Sequence, residues 1–247
     1  MTKQTIILLA FVPSLLFGQS KNVGLGLSLG NNGQLDKILN DFYFFAHETE
    51  NLDDSHQDKT TNFKYSMSAS FFFTDSIYAR LKLGEAIRKD FYINDFPTQY
   101  SDFEIYQSET NISPSISFSK KINKLAIVTG IEIPMIFVHD FTMKTNYKQM
   151  PDSVTVTYDS HSTITMTGGF IWGFNNFIGV KYYFTKWLGI ETEINYGLLF
   201  ANIGEKVKTD SESAIPTPVT STSEFAKSYK KTFFSAPEVS FGLFFRF

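Results

Sequence analysis

Residues 188–198 read LGIETEINYGL, and this stretch decides the fold. Leu188, Ile190, Thr192, Ile194, Tyr196 and Leu198 alternate with Gly189, Glu191, Glu193, Asn195 and Gly197. Successive side chains of a strand point to opposite faces, so a period of two gives a strand with one apolar face and one small or ionic face. The polar side of a soluble sheet carries many charges of both signs. Here that side is mostly small residues, which fit a narrow interior rather than a solvated exterior. A soluble, lipocalin-like barrel with its apolar face inward is the competing arrangement.

The pattern recurs along the chain. Val23, Leu25, Leu27 and Leu29 alternate with glycines and Ser28; Phe63 to Phe73 alternates with Lys64 and a run of serines. Ile77, Ala79, Leu81 and Leu83 interleave with Arg80 and Lys82, and Ile112 to Phe118 with Ser113, Ser115, Ser117 and Ser119. Further runs cover Leu125–Phe137, Phe174–Phe184 and Val239–Phe247. With residues 188–198 these make eight strands. The connections at Thr74–Ser76, Lys120–Lys124 and Thr185–Trp187 are tight, whereas 31–62, 88–110, 139–172 and 203–232 are long. Short periplasmic turns alternating with long extracellular loops are the habit of outer-membrane barrels. Residues 154–167 also alternate. They either lengthen strands five and six beyond the membrane or add a hairpin, which makes ten strands.

The expected fold is therefore all-β: a closed antiparallel up-and-down transmembrane barrel of eight strands, or ten. Energetics fix its sidedness. A Lys or Arg facing lipid at the midplane costs roughly 2–4 kcal/mol, so Arg80, Lys82 and Lys181 together would cost about 6–12 kcal/mol. That is comparable with the whole stability of a domain, about 5–15 kcal/mol. These cations must face the lumen, where Glu132, Glu191 and Glu193 share their parity and supply an ion-pair network. Glu85 falls on the lipid-facing side and is placed above the membrane. Trp187 and Phe184 belong to the inner rim, Trp172 and Phe170 to the outer one, at the headgroup level that amphipathic rings favour.

The chain has 247 residues, 27 of them Phe, a net charge of −3 and no cysteine. The absence of cysteine excludes disulfides, thiolate metal sites and thiol nucleophiles. So small a charge does not suit a nucleic-acid partner, whose phosphates must be neutralised. Residues 1–18 read as a secretory signal peptide: Lys3, an apolar run from Ile6 to Phe17, then Gly18. That run is too short for a membrane span, which needs about 20 residues. Residues 19–247 are the barrel domain.

The C-terminus reads SFGLFFRF, residues 240–247. It resembles the assembly signal on the last strand of outer-membrane proteins, with Ser240, Gly242, Phe245 and Phe247 matching its positions. The resemblance implies the barrel-assembly machinery as a partner, engaged by strand addition. The region after the signal peptide as a whole resembles the small outer-membrane barrels called PorT-like or porin-family proteins. In architecture it is similar to OmpX and the OmpA barrel. This implies the outer membrane of a Gram-negative cell and contact with its lipids, and only loosely a role, since such families include barrels that are not open pores.

No catalytic residues, metal site or cofactor is assigned. Gly24, Gly26 and Gly30 lack the spacing of a dinucleotide fingerprint. His47, Glu48, Glu50, Asp53, Asp54, His56 and Asp58 form a solvated acidic loop before a metal site. Ser160, His161 and Ser162, with Asp159 or Asp140, have the residue types of an activated nucleophile, but neighbours on a strand point to opposite faces. The Ser/Thr-rich segment 203–232 reads as a mobile loop, and the aromatic run Asp41–Phe45 as packing over the mouth first, with a continued strand or an exposed aromatic binding patch as alternatives. Ion pairs filling the lumen point to a plugged, non-enzymatic barrel whose loops bind an unknown extracellular or envelope partner or support envelope integrity. A narrow channel for small or apolar solutes is the alternative, and a lipid A-modifying enzyme a third.

Overall fold

The computed structural model describes residues 22–31, 56–96, 98–150, 156–215, 217–226 and 228–247. The signal segment, the aromatic run 41–45 and the acidic cluster from His47 to Asp54 lie outside them.

Fourteen strands form one antiparallel sheet, and no helix occurs among the described residues. Strands β1 (Val23–Gly30), β2 (His56–Phe72), β3 (Ile77–Phe96) and β4 (Gln99–Ile122) pair in sequence order. β4 then meets β5 (Leu125–Glu132) and β6 (Met135–Val138), which follow one another along its edge in a single register. Both pair onward with β9 (Gly169–Tyr183), which pairs with β10 (Leu188–Ile203). β10 meets β14 (Glu238–Arg246) along its first half and β13 (Tyr229–Phe234) along its second. β14 returns to β1, with Leu27 opposite Leu243. The pairings thus run in a ring through eight strand positions, unevenly, because β5 with β6 and β13 with β14 each share one position.

Local chemistry sets the tight turns. The Thr74 hydroxyl accepts from the backbone N–H groups of Ser76 and Ile77, and Thr185 accepts in the same way from Trp187 and Leu188. These hydroxyls stand in for the backbone bonds a turn leaves open. Asn123, with φ 56°, takes the left-handed conformation that Asn tolerates, between β4 and β5.

The long connections differ from open loops. Residues 88–110 continue β3 and β4 almost without a break. Residues 139–172 contain β7 (Phe141–Gln149) and β8 (Tyr158–Met166), and residues 203–232 contain β11 (Lys206–Ile215), β12 (Val219–Ala226) and β13. Segment 203–232 is therefore strand and not a structureless loop. Its Thr, Val and Ser residues alternate on faces that are both largely polar, so composition hides a strand that pairing reveals. The hairpin β7–β8 adds no strands to the ring. It pairs with the far half of β4, and the sheet continues through β8, β11 and β12. β4 has 24 residues, about 80 Å of strand at ~3.3 Å per residue, whereas a membrane crossing takes about 9–11 residues. Its first half rises beyond the ring and carries this second sheet, the arm.

Candidate functional site

The ring buries an ionic cluster. Arg80, Glu132 and Glu193 are 3%, 2% and 5% exposed. Arg80 donates Nη1 and Nη2 to the two oxygens of Glu193 at 2.6 and 3.2 Å, and its Nη2 lies 3.7 Å from Glu132. Lys82 Nζ bridges the same carboxylates at 2.8 Å to Glu193 and 3.3 Å to Glu132. One step around the wall, Lys181 meets Glu191 at 3.0 Å. The network residues read from the sequence thus fall into a four-membered cluster and a separate pair. Lys64 and Glu238, 3.0 Å apart, add a further pair that sequence reasoning did not single out, although Lys64 shares the serine face of its strand. These four cations face Glu132, Glu191, Glu193 and Glu238, with Glu109 a further buried carboxylate on the inward face, and buried charge is tolerated when it is paired in this way.

Aromatic rings close the cluster toward the tight-turn end. Arg80 lies over the Phe177 ring at 4.5 Å, and Lys181 over Phe244 at 4.7 Å and Tyr78 at 5.2 Å. Phe72 packs on Tyr78, and Tyr183 on Phe244. Toward the opposite end the interior becomes apolar. Ile136, Ile171, Leu199, Ala201, Ile203 and Phe233 of the ring pack with Ile105, Phe141, Met143, Met166 and Val207 of the arm. The arm's sheet thereby lies across the mouth. Between the layers a void of about 20 Å³ remains beside Lys64, Lys82, Glu132 and Glu238, room for about one water.

The outside is the reverse of a soluble protein. Leu27, Leu29, Phe71, Leu81, Ile116, Phe118, Ile131, Ile178, Ile190 and Phe241 all stand exposed on consecutive strands. Trp187 stacks on Phe245 at the turn end, and Trp172 stacks on Phe200 at the other. Glu85 is exposed and accepts the Tyr65 hydroxyl. Strands that present apolar side chains outward around an ionic interior belong in lipid, where pairing must satisfy every backbone group. Its place is an outer membrane.

The last strand lies between β1 and β10. Gly242 sits so close to β1 that a Cβ there would come 2.5 Å from the Leu27 oxygen. Ser240 faces Gly30, Phe245 faces Leu25 on one side and Leu188 on the other, and the Phe247 N–H bonds to the Val23 oxygen. Arg246 ties the end down through Asp75 at 2.7 Å.

The nucleophile candidates do not meet. His161 faces Asn146 through Nδ1 at 2.7 Å and Asp159 through Nε2 at 3.6 Å, the Ser162 hydroxyl meets Ser211, and Asp140 accepts the Gly168 N–H. Neither Ser160 nor Ser162 reaches an imidazole among the described residues. His139 Nε2 pairs with Thr110.

No protein-family model and no curated protein matches the chain. Among solved structures it is similar to CarO of Acinetobacter baumannii, 9% identical with TM-score 0.38, over 92% of this chain and 98% of that one. A major outer membrane protein of Thermus thermophilus is 8% identical with TM-score 0.43, over 90% and 99% of the two chains. The outer membrane protein OprG of Pseudomonas aeruginosa is 9% identical with TM-score 0.38, over 92% and 96%.

Proposed function

We propose that the ring is a closed eight-stranded transmembrane barrel that conducts no solute, and that its arm presents a recognition surface outside the membrane. The filled interior carries this reading. Paired charges occupy the middle, aromatic rings close one end, and the apolar cluster shared with the arm closes the other. In this reading residues 1–18 direct export, and the strand ending at Phe247 is the segment that the barrel-assembly machinery engages. The protein then acts through its arm, as a non-enzymatic member of the small PorT-like or porin-family barrels, binding an envelope partner or supporting envelope integrity. Lipid A modification has little support, because His161 is turned to Asn146 and Asp159 instead of to a serine.

Purified protein in planar bilayers tests the closed interior. Single molecules are expected to stay at the baseline current. Large, steady conductance steps would overturn the reading and favour the narrow channel.

A further inference from the structure

The arm's sheet ends on β12, which pairs with β11 on one edge and with nothing on the other among the described residues. All eight of its residues, VTSTSEFA, are exposed. Such an edge is a row of free N–H and C=O groups, and proteins usually guard it with lysines, prolines or bulges. Residues 219–226 contain none of these, and Pro218 and Lys227 just outside them bound the edge to this one segment. The segment's one charge, Glu224, is already held by Lys206 of β11 at 3.0 Å. A polar edge of this length with no guard residue inside it, held outside the membrane, is suited to accept a strand.

The strand's own sequence names the occupant. Two identical edges related by a twofold axis pair antiparallel, and their alternation of hydrogen-bonding residues requires the axis to pass through a residue. With the axis at Thr222, Val219 faces Phe225, Thr220 faces Glu224 and Ser221 faces Ser223. Val219 and Phe225 are the strand's two exposed large apolar residues, 58% and 50% exposed, and this register sets them against each other twice. An aliphatic–aromatic cross-strand pair is favourable, and no like charges stand opposite. Moving the axis to Ser223 would leave Val219 beyond the paired segment and set Phe225 against Ser221.

We infer that β12 is a homotypic docking edge at which a second copy of this chain adds its own β12, centred on Thr222, to form one sheet across two arms. This rests on the proposed role of the arm and identifies its partner. Four strand-to-strand steps separate β12 from β4, and at roughly 20–25° each they turn it about 80–100°. β12 therefore runs in a different direction from the barrel strands, at the far edge of the arm.

The chain has no cysteine, so introduced ones report without background. Directly opposed residues lie about 4.5–5.5 Å apart at Cα, within disulfide reach of about 4.4–6.8 Å, whereas diagonal ones lie at about 7–8 Å. In the full chain, expressed in an outer membrane and mildly oxidised, Thr222→Cys is expected to give a covalent dimer. Ser221→Cys and Ser223→Cys are each expected to stay monomeric alone and to join when co-expressed. Lys144→Cys, on β7 away from the edge, sets the rate of random collision. A Thr222→Cys yield no higher than the Lys144→Cys yield overturns the inference, as does equal crosslinking of Ser221→Cys alone. An adduct to a different polypeptide also overturns it, in favour of a foreign strand. A failed crosslink leaves the conductance test of the closed barrel untouched, and conductance steps leave the crosslink readable.

Discussion

Glu193→Gln is the sharpest test of the buried cluster. Glu193 accepts both short Arg80–carboxylate hydrogen bonds, at 2.6 and 3.2 Å, and the shorter of the two Lys82 contacts. Glutamine keeps the volume and removes the charge, leaving two cations to share Glu132, at 3.7 Å from Arg80 and 3.3 Å from Lys82. Removing one partner of a buried ion pair costs about 3–5 kcal/mol, because the charge left behind is uncompensated. Here two cations are left short and one carboxylate remains, so the loss belongs within that range rather than at its double. Refolded protein titrated with urea in lipid vesicles, read by tryptophan fluorescence and by gel mobility without heating, gives the difference. The midpoint is expected to fall with the slope unchanged, as it does when stability alone changes. Adding Lys82→Met to Glu193→Gln should recover part of the loss, since the surplus cation is gone and contacting residues couple non-additively. If Glu193→Gln matched the parent within about 0.5 kcal/mol, the range of an ordinary surface substitution, the interior would be wet and the charges solvated, contrary to the closed barrel.

Two further outcomes follow from geometry. A Cβ at Gly130 would come 2.2 Å from the Ile116 oxygen and 2.6 Å from the Phe177 ring over which Arg80 lies, so Gly130→Ala should cost about 1–3 kcal/mol by the same titration, and a neutral result would show that the wall yields there. In the arm, hydrogen bonds from Lys208 and then Thr222 hold the Asp210 carboxyl below its ordinary value. A depressed folded value gives stability that is present above the unfolded pKa of about 3.9 and is lost as pH falls through the folded one. Amide protection in the β11–β12 hairpin, the exchange rate taken relative to that of the unfolded chain at the same pH, should therefore stay constant from neutrality to about pH 4 and weaken below it. Asp210→Asn should remove that dependence, and protection persisting unchanged at pH 2 would refute it.

The parts of the fold that were legible in the sequence are those where lipid sharpens the contrast between faces. Ile190 and Ile194 against Glu191 and Glu193, or Ile116 and Phe118 against Ser115 and Ser117, leave no doubt about period or side, and Arg80, Lys82, Glu132 and Glu193 follow from parity alone. Parity gives the face but not the partner. That Glu193 takes two cations while Glu191 takes Lys181 depends on the height of each residue in the wall, which the register sets. The arm was legible only in part, at residues 154–167, for the opposite reason. In VTSTSEFA both faces are largely polar, so period two is present without a side; in the β8 sequence YDSHSTITM serines interrupt the face that carries Tyr158, Ile164 and Met166.

β4 shows why the two regimes look so different. Its odd-numbered face is buried throughout, from Phe103 and Ile105 through Gln107, Glu109 and Asn111 to Ser113, Ser115 and Ser117. Near the tight turn this face is polar and the even face, with Ile116 and Phe118, is apolar. Toward the arm the order inverts: Phe103 and Ile105 are buried while Asp102 and Glu104 share the other face. A single strand cannot change which side faces inward without a bulge, and its register with β3 runs unbroken from Gln99 to Phe118. What changes is the medium outside. Lipid selects apolar residues for the outer face and leaves the inside to ions, while water selects the reverse. The inversion at Gln107–Asn111 therefore marks where the chain leaves the bilayer. β10 differs: its inward face passes from Glu191, Glu193 and Asn195 to Leu199, Ala201 and Ile203, while its outward face stays apolar through Phe200, which stacks on Trp172. Beyond the boundary on β4 lie β7, β8, β11 and β12, free to meet a partner in water.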